Sequence, residues 1–181
     1  MNHYPRRAII AGALLLSLGA CSRDAGVRGA AGAVQTVKLA DAAGASVGSV
    51  SVRDGAGGLR VLVSARGIPP GTHGIHLHET GRCEGPKFES AGKHWNPGMK
   101  KHGRDNPEGA HLGDLPNLQA GPGGGAAGFT VAGATIASGA TMLADADGTS
   151  LVIHAKPDDY KTDPSGNSGD RIACAVLAPP R

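Results

Sequence analysis

At 181 residues and 18.0 kDa the chain has room for one ordinary domain, and aromatics at only 3% leave its core to Val, Leu, Ile and Ala. Its 30 glycines and 12 prolines, with no long helical pattern, point to an all-β fold rich in turns. A sequence pI of 8.9 looks basic, but removing residues 1–20 lowers Lys plus Arg from 18 to 16 against 15 acids. No Lys/Arg stripe with interleaved aromatics is present, so nucleic acid is not an expected partner.

Arg6 and Arg7 precede an apolar run from Ala8 to Ala20 that is too short to span a bilayer as a lasting helix. Residues 1–20 are therefore expected to be a secretory signal peptide. Leu18-Gly19-Ala20-Cys21 resembles a bacterial lipobox, which implies lipidation of Cys21. Ser22 after it points to the outer membrane. Residues 21–33 read as the lipidated N-terminus and a flexible tether. The expected location is the periplasmic or cell-envelope side, with membrane attachment through Cys21 alone.

A single domain is expected over residues 34–181. Strand patterns run from Val34 to Leu39, and through Val47, Ser49 and Ser51 alternating with Gly48, Val50 and Val52. A turn at Asp54–Gly58 leads to a half-buried strand with Leu59, Val61, Val63 and Ala65 on one face. After Pro69-Pro70-Gly71 the next strand carries His73, His76 and His78. Side chains two apart on a strand lie roughly 6–7 Å apart on one face, which suits His76 and His78 to one metal ion.

From Thr80 to Gln119 no strand or helix pattern is visible, yet His94, His102, His111 and Asp114 fall there. Such a long loop inside a compact domain needs a fixative, and metal binding by these four residues would supply it. Gly121–Gly128 reads as a flexible connection, Phe129–Val131 as a short strand and Ala144–Gly148 as a turn. Leu151, Ile153 and Ala155 face inward on a strand whose other face carries Val152 and His154. A second long loop, 157–170, precedes a closing strand from Ile172 to Leu177. Strands with two long loops describe a β-barrel or sandwich.

Cys83 and Cys174 form an even pair in an exported chain, which reads as a disulfide. Two metal thiolates are the alternative, although neither cysteine has a Cys-x-x-Cys partner.

The segments Gly74-Ile75-His76-Leu77-His78-Glu79, Gly92-Lys93-His94-Trp95-Asn96-Pro97, Lys101-His102-Gly103, His111-Leu112-Gly113-Asp114-Leu115, Leu151-Val152-Ile153-His154 and Gly169-Asp170-Arg171-Ile172-Ala173-Cys174 follow one another in order. Together they resemble the copper/zinc superoxide dismutases in their exported bacterial form. The resemblance implies an eight-stranded Greek-key β-barrel, an immunoglobulin-like sandwich with two long functional loops. It implies copper held by His76, His78, His94 and His154, and zinc held by His94, His102, His111 and Asp114, with one ion of each per subunit. It also implies that Asp158 links His76 to His102, that Arg171 stands beside copper, and that Cys83 pairs with Cys174. The implied reaction turns superoxide into dioxygen and hydrogen peroxide by alternating Cu(II) and Cu(I), with His94 and Arg171 as the catalytic residues and zinc as a structural and tuning ion. A homodimer is compatible with the resemblance.

The alternative is a non-catalytic dismutase-like protein that stores or delivers copper and zinc. Loss of turnover would usually show as a missing copper histidine or a missing arginine, and all are present. His73, on the face opposite His76 and His78, reads as a hydrogen-bonded structural histidine, and Trp95 as packing beside the site.

Overall fold

The structure is a computed structural model that describes residue 1 and residues 33–181. The expected signal peptide, Cys21 and most of the tether lie outside the described residues.

Among the described residues nine strands form, all antiparallel: β1 Gln35–Asp41, β2 Ser46–Gly55, β3 Gly58–Ala65, β4 Gly71–His73, β5 Ile75–His78, β6 Leu118–Ala120, β7 Gly125–Val131, β8 Thr149–His154 and β9 Arg171–Ala178. Seven pair in the order β5-β8-β9-β1-β2-β3-β7, and β4 pairs with β6. β6 lies against β7 through the Gly121–Gly124 turn, and β4 runs through Gly74 straight into β5. The two sheets thus close on one another. Counting β4 and β5 as one interrupted strand gives the expected eight-stranded Greek-key barrel.

Alternation in β3 matches the expectation: Leu59, Val61, Val63 and Ala65 are buried while Arg60 and Leu62 are exposed. In β2 the period breaks. Val47, Val50 and Val52 are all buried, because the β1 register slips between Leu39 and Ala40 and leaves Val47 as the extra residue of a bulge. These side chains, with Ile75, Leu77, Trp95, Leu118, Leu151 and Ile153, fill the barrel. Each fully buried Val, Leu or Ile contributes about 1.5–3 kcal/mol by leaving water.

Besides Val47, other expectations need correction, among them Ala155, which is exposed just past the end of β8 instead of facing inward. The Gly121–Gly128 connection is not flexible throughout: Gly125–Gly128 belong to β7 and pair with Leu62–Ala65. Gly125 packs against the Gln119 carbonyl so closely that a side chain would not fit. The stretch 80–119 also contains a 3₁₀ turn, Glu89–Ala91, and most of β6.

β8 is buried along its whole length. Leu151 and Ile153 enter the barrel, while Val152 packs outside it with Phe88, Ala91 and Cys174. The Cys83–Cys174 disulfide is present, closing the 84–92 segment over that second cluster.

Candidate metal centre

β5 and β8 are neighbours, so His76, His78 and His154 leave adjacent strands at one end of the barrel. The segment after Gly92 then lies along β5: Glu79 N–H donates to Lys93 O and Trp95 N–H to Leu77 O, at 2.9 and 2.8 Å. His94 is thereby brought opposite His78. Trp95 is buried in the barrel core, which ties this turn of the loop down.

The four rings each have one nitrogen engaged and one free. His78 Nδ1 lies 3.1 Å from Gly92 O, His154 Nδ1 3.1 Å from Gly169 O, His94 Nδ1 3.0 Å from Asp114 Oδ1, and His76 Nε2 2.8 Å from Asp158 Oδ2. The remaining atoms, His76 Nδ1, His78 Nε2, His94 Nε2 and His154 Nε2, are buried without a hydrogen-bond partner among the described residues. Coordinating atoms from these four residues converge to within 4.8 Å of one another. Buried imidazole nitrogens facing only each other are costly unless a cation satisfies them. Four imidazoles suit tetragonal Cu(II).

Asp114 organises the second group. His94, His102 and His111 each bring Nδ1 to Asp114 Oδ1, at 3.0, 3.1 and 3.2 Å. Ligand atoms on a tetrahedron with bonds of about 2.0 Å stand about 3.3 Å apart, so this spacing accommodates zinc. His102 Nδ1 makes no aligned hydrogen bond despite its proximity. Asp114 Oδ2 is fixed by the backbone N–H groups of Gly103 and His111, at 2.9 and 3.0 Å. His76 also falls within 4.8 Å of the His94, His102 and Asp114 set, but its only free nitrogen is the one shared with the first group. The structure thus brings all of the sequence-derived ligand candidates into two clusters that meet at His94.

Asp158 joins the clusters from outside, with Oδ2 on His76 and Oδ1 3.0 Å from His102 Nε2. Burial lowers the imidazoles of the first group: His94 falls to about 4, against the hydrogen bond to Asp114, and His154 to about 3, helped by the charge that His76 would carry. His76 is lowered by burial against the pull of Asp158, and His78 well below the usual value by burial and then by His94. These rings are held neutral and ready for a metal. His102 goes the other way: burial is outweighed by the two carboxylates beside it, Asp114 close to Nδ1 and Asp158 hydrogen-bonded at Nε2, and its pKa rises to about 9.

A cavity of about 280 Å³ opens over the first cluster, lined by Lys93, His94, His154, Pro164, Ser165, Gly169 and Arg171. Arg171 donates to Phe88 O and Gly92 O, at 2.6 and 2.7 Å, which fixes its guanidinium while leaving three N–H groups.

Residues 46–177 match the family sequence described as Copper/zinc superoxide dismutase (SODC). The chain belongs to the copper/zinc superoxide dismutase family.

Among relatives of this dismutase family, a superoxide dismutase [Cu-Zn] of Aquifex aeolicus is 38% identical over 172 residues, 93% of this chain and 96% of that protein. The crystal structure of a SOD-like protein from Bacillus subtilis shares 39% identity with a TM-score of 0.76, covering 80% of this chain and 99% of that one. The Cu/Zn superoxide dismutase of Brucella abortus shares 32% with a TM-score of 0.63, over 80% and 99%.

Asn117 and Tyr160 were not visible from sequence as parts of this dismutase-family site. The Asn117 amide pairs with both backbone groups of Asp158, donating to its O at 2.9 Å and accepting from its N at 2.8 Å. Only the proximity of Asn117 to Asp114 along the chain could have hinted at it. His73 has its ring nitrogens 2.7 and 2.9 Å from the carbonyls of His154 and Pro69, away from both clusters.

Proposed function

We propose that the protein is a superoxide dismutase, converting two superoxide ions and two protons into dioxygen and hydrogen peroxide. His76, His78, His94 and His154 would hold copper, and His94, His102, His111 and Asp114 would hold zinc. Copper there supplies one-electron exchange by alternating between Cu(II) and Cu(I), while zinc holds and tunes the shared ring. The observation that carries this reading is the set of four convergent, partnerless ring nitrogens beneath a cavity with a fixed arginine.

The chain's own residues perform three tasks. Arg171, with Lys93 at the same cavity, attracts and orients a small anion above the histidines. His94 would be held through Nδ1 on the Asp114 side, where the zinc ligands gather, so its Nε2 can take up a proton and return it to the reduced product without the ring leaving its place. Pro164, Ser165 and Gly169 complete the walls of this cavity, whose volume of about 280 Å³ suits a small substrate.

The N-terminal reading joins this proposal. Export under the 1–20 signal, with Cys21 as a lipid anchor in the outer membrane facing the periplasm, is supported by the leader pattern and by a disulfide suited to an oxidising compartment. Superoxide removal by copper- and zinc-replete protein tests the activity. A rate no higher than that of buffer would overturn it and favour the second reading, metal storage or delivery, to which the likeness to a SOD-like protein lends weight.

A further inference from the structure

Tyr160 sits at φ 61°, a left-handed conformation that residues with a β-carbon seldom adopt. Such backbone persists where the surroundings over-determine it, and those places cluster at functional sites. Here the surroundings are specific. Tyr160 N–H donates to Asp158 Oδ1 at 2.7 Å, and Tyr160 O accepts from Asp105 N at 2.9 Å. Its phenol oxygen accepts from Asn117 N at 2.8 Å. The ring is covered by Arg104, whose guanidinium carbon lies 3.8 Å from its centre.

Asn117 in turn grips both backbone groups of Asp158. Tyr160 therefore reaches Asp158 twice, directly at the carboxylate and through Asn117 at the backbone. It also ties together three separate segments: the 157–170 loop, Asp105 in the zinc-side loop, and the residue preceding β6.

We propose that Tyr160 is a positioning residue for the Asp158 bridge. Its phenol oxygen and its left-handed backbone together set the angle at which Asp158 meets His76 and His102, and so the tautomer and tilt of both rings. The inference rests on the reading of the two clusters as metal sites, since its consequence is tighter zinc. Loss of an outer hydrogen-bond partner typically weakens a metal by about 10- to 100-fold.

Tyr160→Phe removes a single oxygen and keeps the ring under Arg104. The expected result is zinc binding weakened about tenfold, read by competition with a chromogenic chelator, together with faster solvent exchange of the His76 and His102 Nε2 protons by NMR. Asn117→Ala should do the same, and the double variant should be no worse than the more affected single one, because both act through one path. Unchanged zinc affinity and unchanged proton exchange in Tyr160→Phe would overturn the proposal, as would additive losses in the double variant. Wild-type protein that binds no zinc would overturn the metal reading instead. Nε2 proton exchange in the metal-free proteins would then decide the role of Tyr160 by itself.

Discussion

Gly166 leaves open the space that the Asp158 carboxylate fills: a β-carbon at Gly166 would overlap Asp158 Oδ1 and stand 2.6 Å from His102 Nε2. At φ +64° the position also disfavours any side chain, at about 1–2 kcal/mol. Gly166→Ala should therefore displace the bridge rather than merely strain a turn. Zinc affinity is expected to fall 10- to 100-fold, with His102 the ring most disturbed. Equilibrium titration with zinc checks this, and retention of wild-type affinity would show that the carboxylate has another way to reach His102.

Arg171 is held by two carbonyls of the disulfide-closed segment and faces the same cavity as His94 and His154. Arg171→Ala should lower the superoxide-removal rate by tenfold or more and flatten its dependence on ionic strength, because steering by charge is screened by salt. Both metals should remain bound, since no ring nitrogen depends on Arg171. Stopped-flow rates across a salt series, with metal analysis of the same samples, provide the check; an unaltered salt slope would remove the steering role.

The Gly92 carbonyl accepts from both Arg171 and His78, so the segment closed by Cys83–Cys174 positions two parts of the site at once. The disulfide spans 91 residues of chain, and its removal is expected to cost about 2–5 kcal/mol. For a domain of this size that is a fall in Tm of roughly 5 to 20 °C. Replacing both cysteines with serine should show this by calorimetry, and should lower activity further than the stability loss explains at temperatures where the variant stays folded.

Much of the fold could be read from residues whose burial is dictated by alternation, as in Leu59, Val61, Val63 and Ala65. The candidate ligands were legible because histidines, once gathered in order, have few other reasons to be there. Gly125–Gly128 were not, because a strand without side chains looks like a linker until its partner β3 is known. Val47 does not share the face of Ser49, as alternation alone would have it, because a bulge depends on the register of β1, which no local pattern carries. Asn117 and Tyr160 escaped for a different reason. Their roles lie in hydrogen bonds to residues about 41 and 43 positions away or to backbone groups, and side-chain type alone does not declare such partners.

Metal-free protein should lose stability as pH falls below neutrality. In the unfolded chain an imidazole titrates near 6.5, whereas in the fold His94 holds out to about 4 and His154 to about 3, with His76 and His78 also lowered. Between those values the unfolded state binds more protons, so acid favours unfolding, by up to about 1.4 kcal/mol per pH unit for each such ring. His102 has the opposite sign: raised to about 9, it adds stability below 6.5 that is lost as pH rises through 9. Stability of the stripped protein should peak near pH 6.5 to 7. Thermal melts of stripped and metal-loaded samples across pH should show the acid limb moved downward in the loaded one, where protons must displace a cation.

Ser150 Oγ is fully buried on β8 and finds no hydrogen-bond partner among the described residues, and unlike the orphaned ring nitrogens it belongs to neither set of metal-ligating side chains found there. A lone buried hydroxyl carries a desolvation cost of about 1–3 kcal/mol with nothing returned. Ser150→Ala removes that cost and leaves only a small void beside His78, to which residue 150 is paired. The variant should be as stable as wild type or more so by up to about 1 kcal/mol, with metal content and activity unchanged. Denaturant unfolding of the two proteins at one pH decides it: a loss of 1 kcal/mol or more would show that the hydroxyl has a partner, such as a buried water, that the cluster of histidines helps to hold.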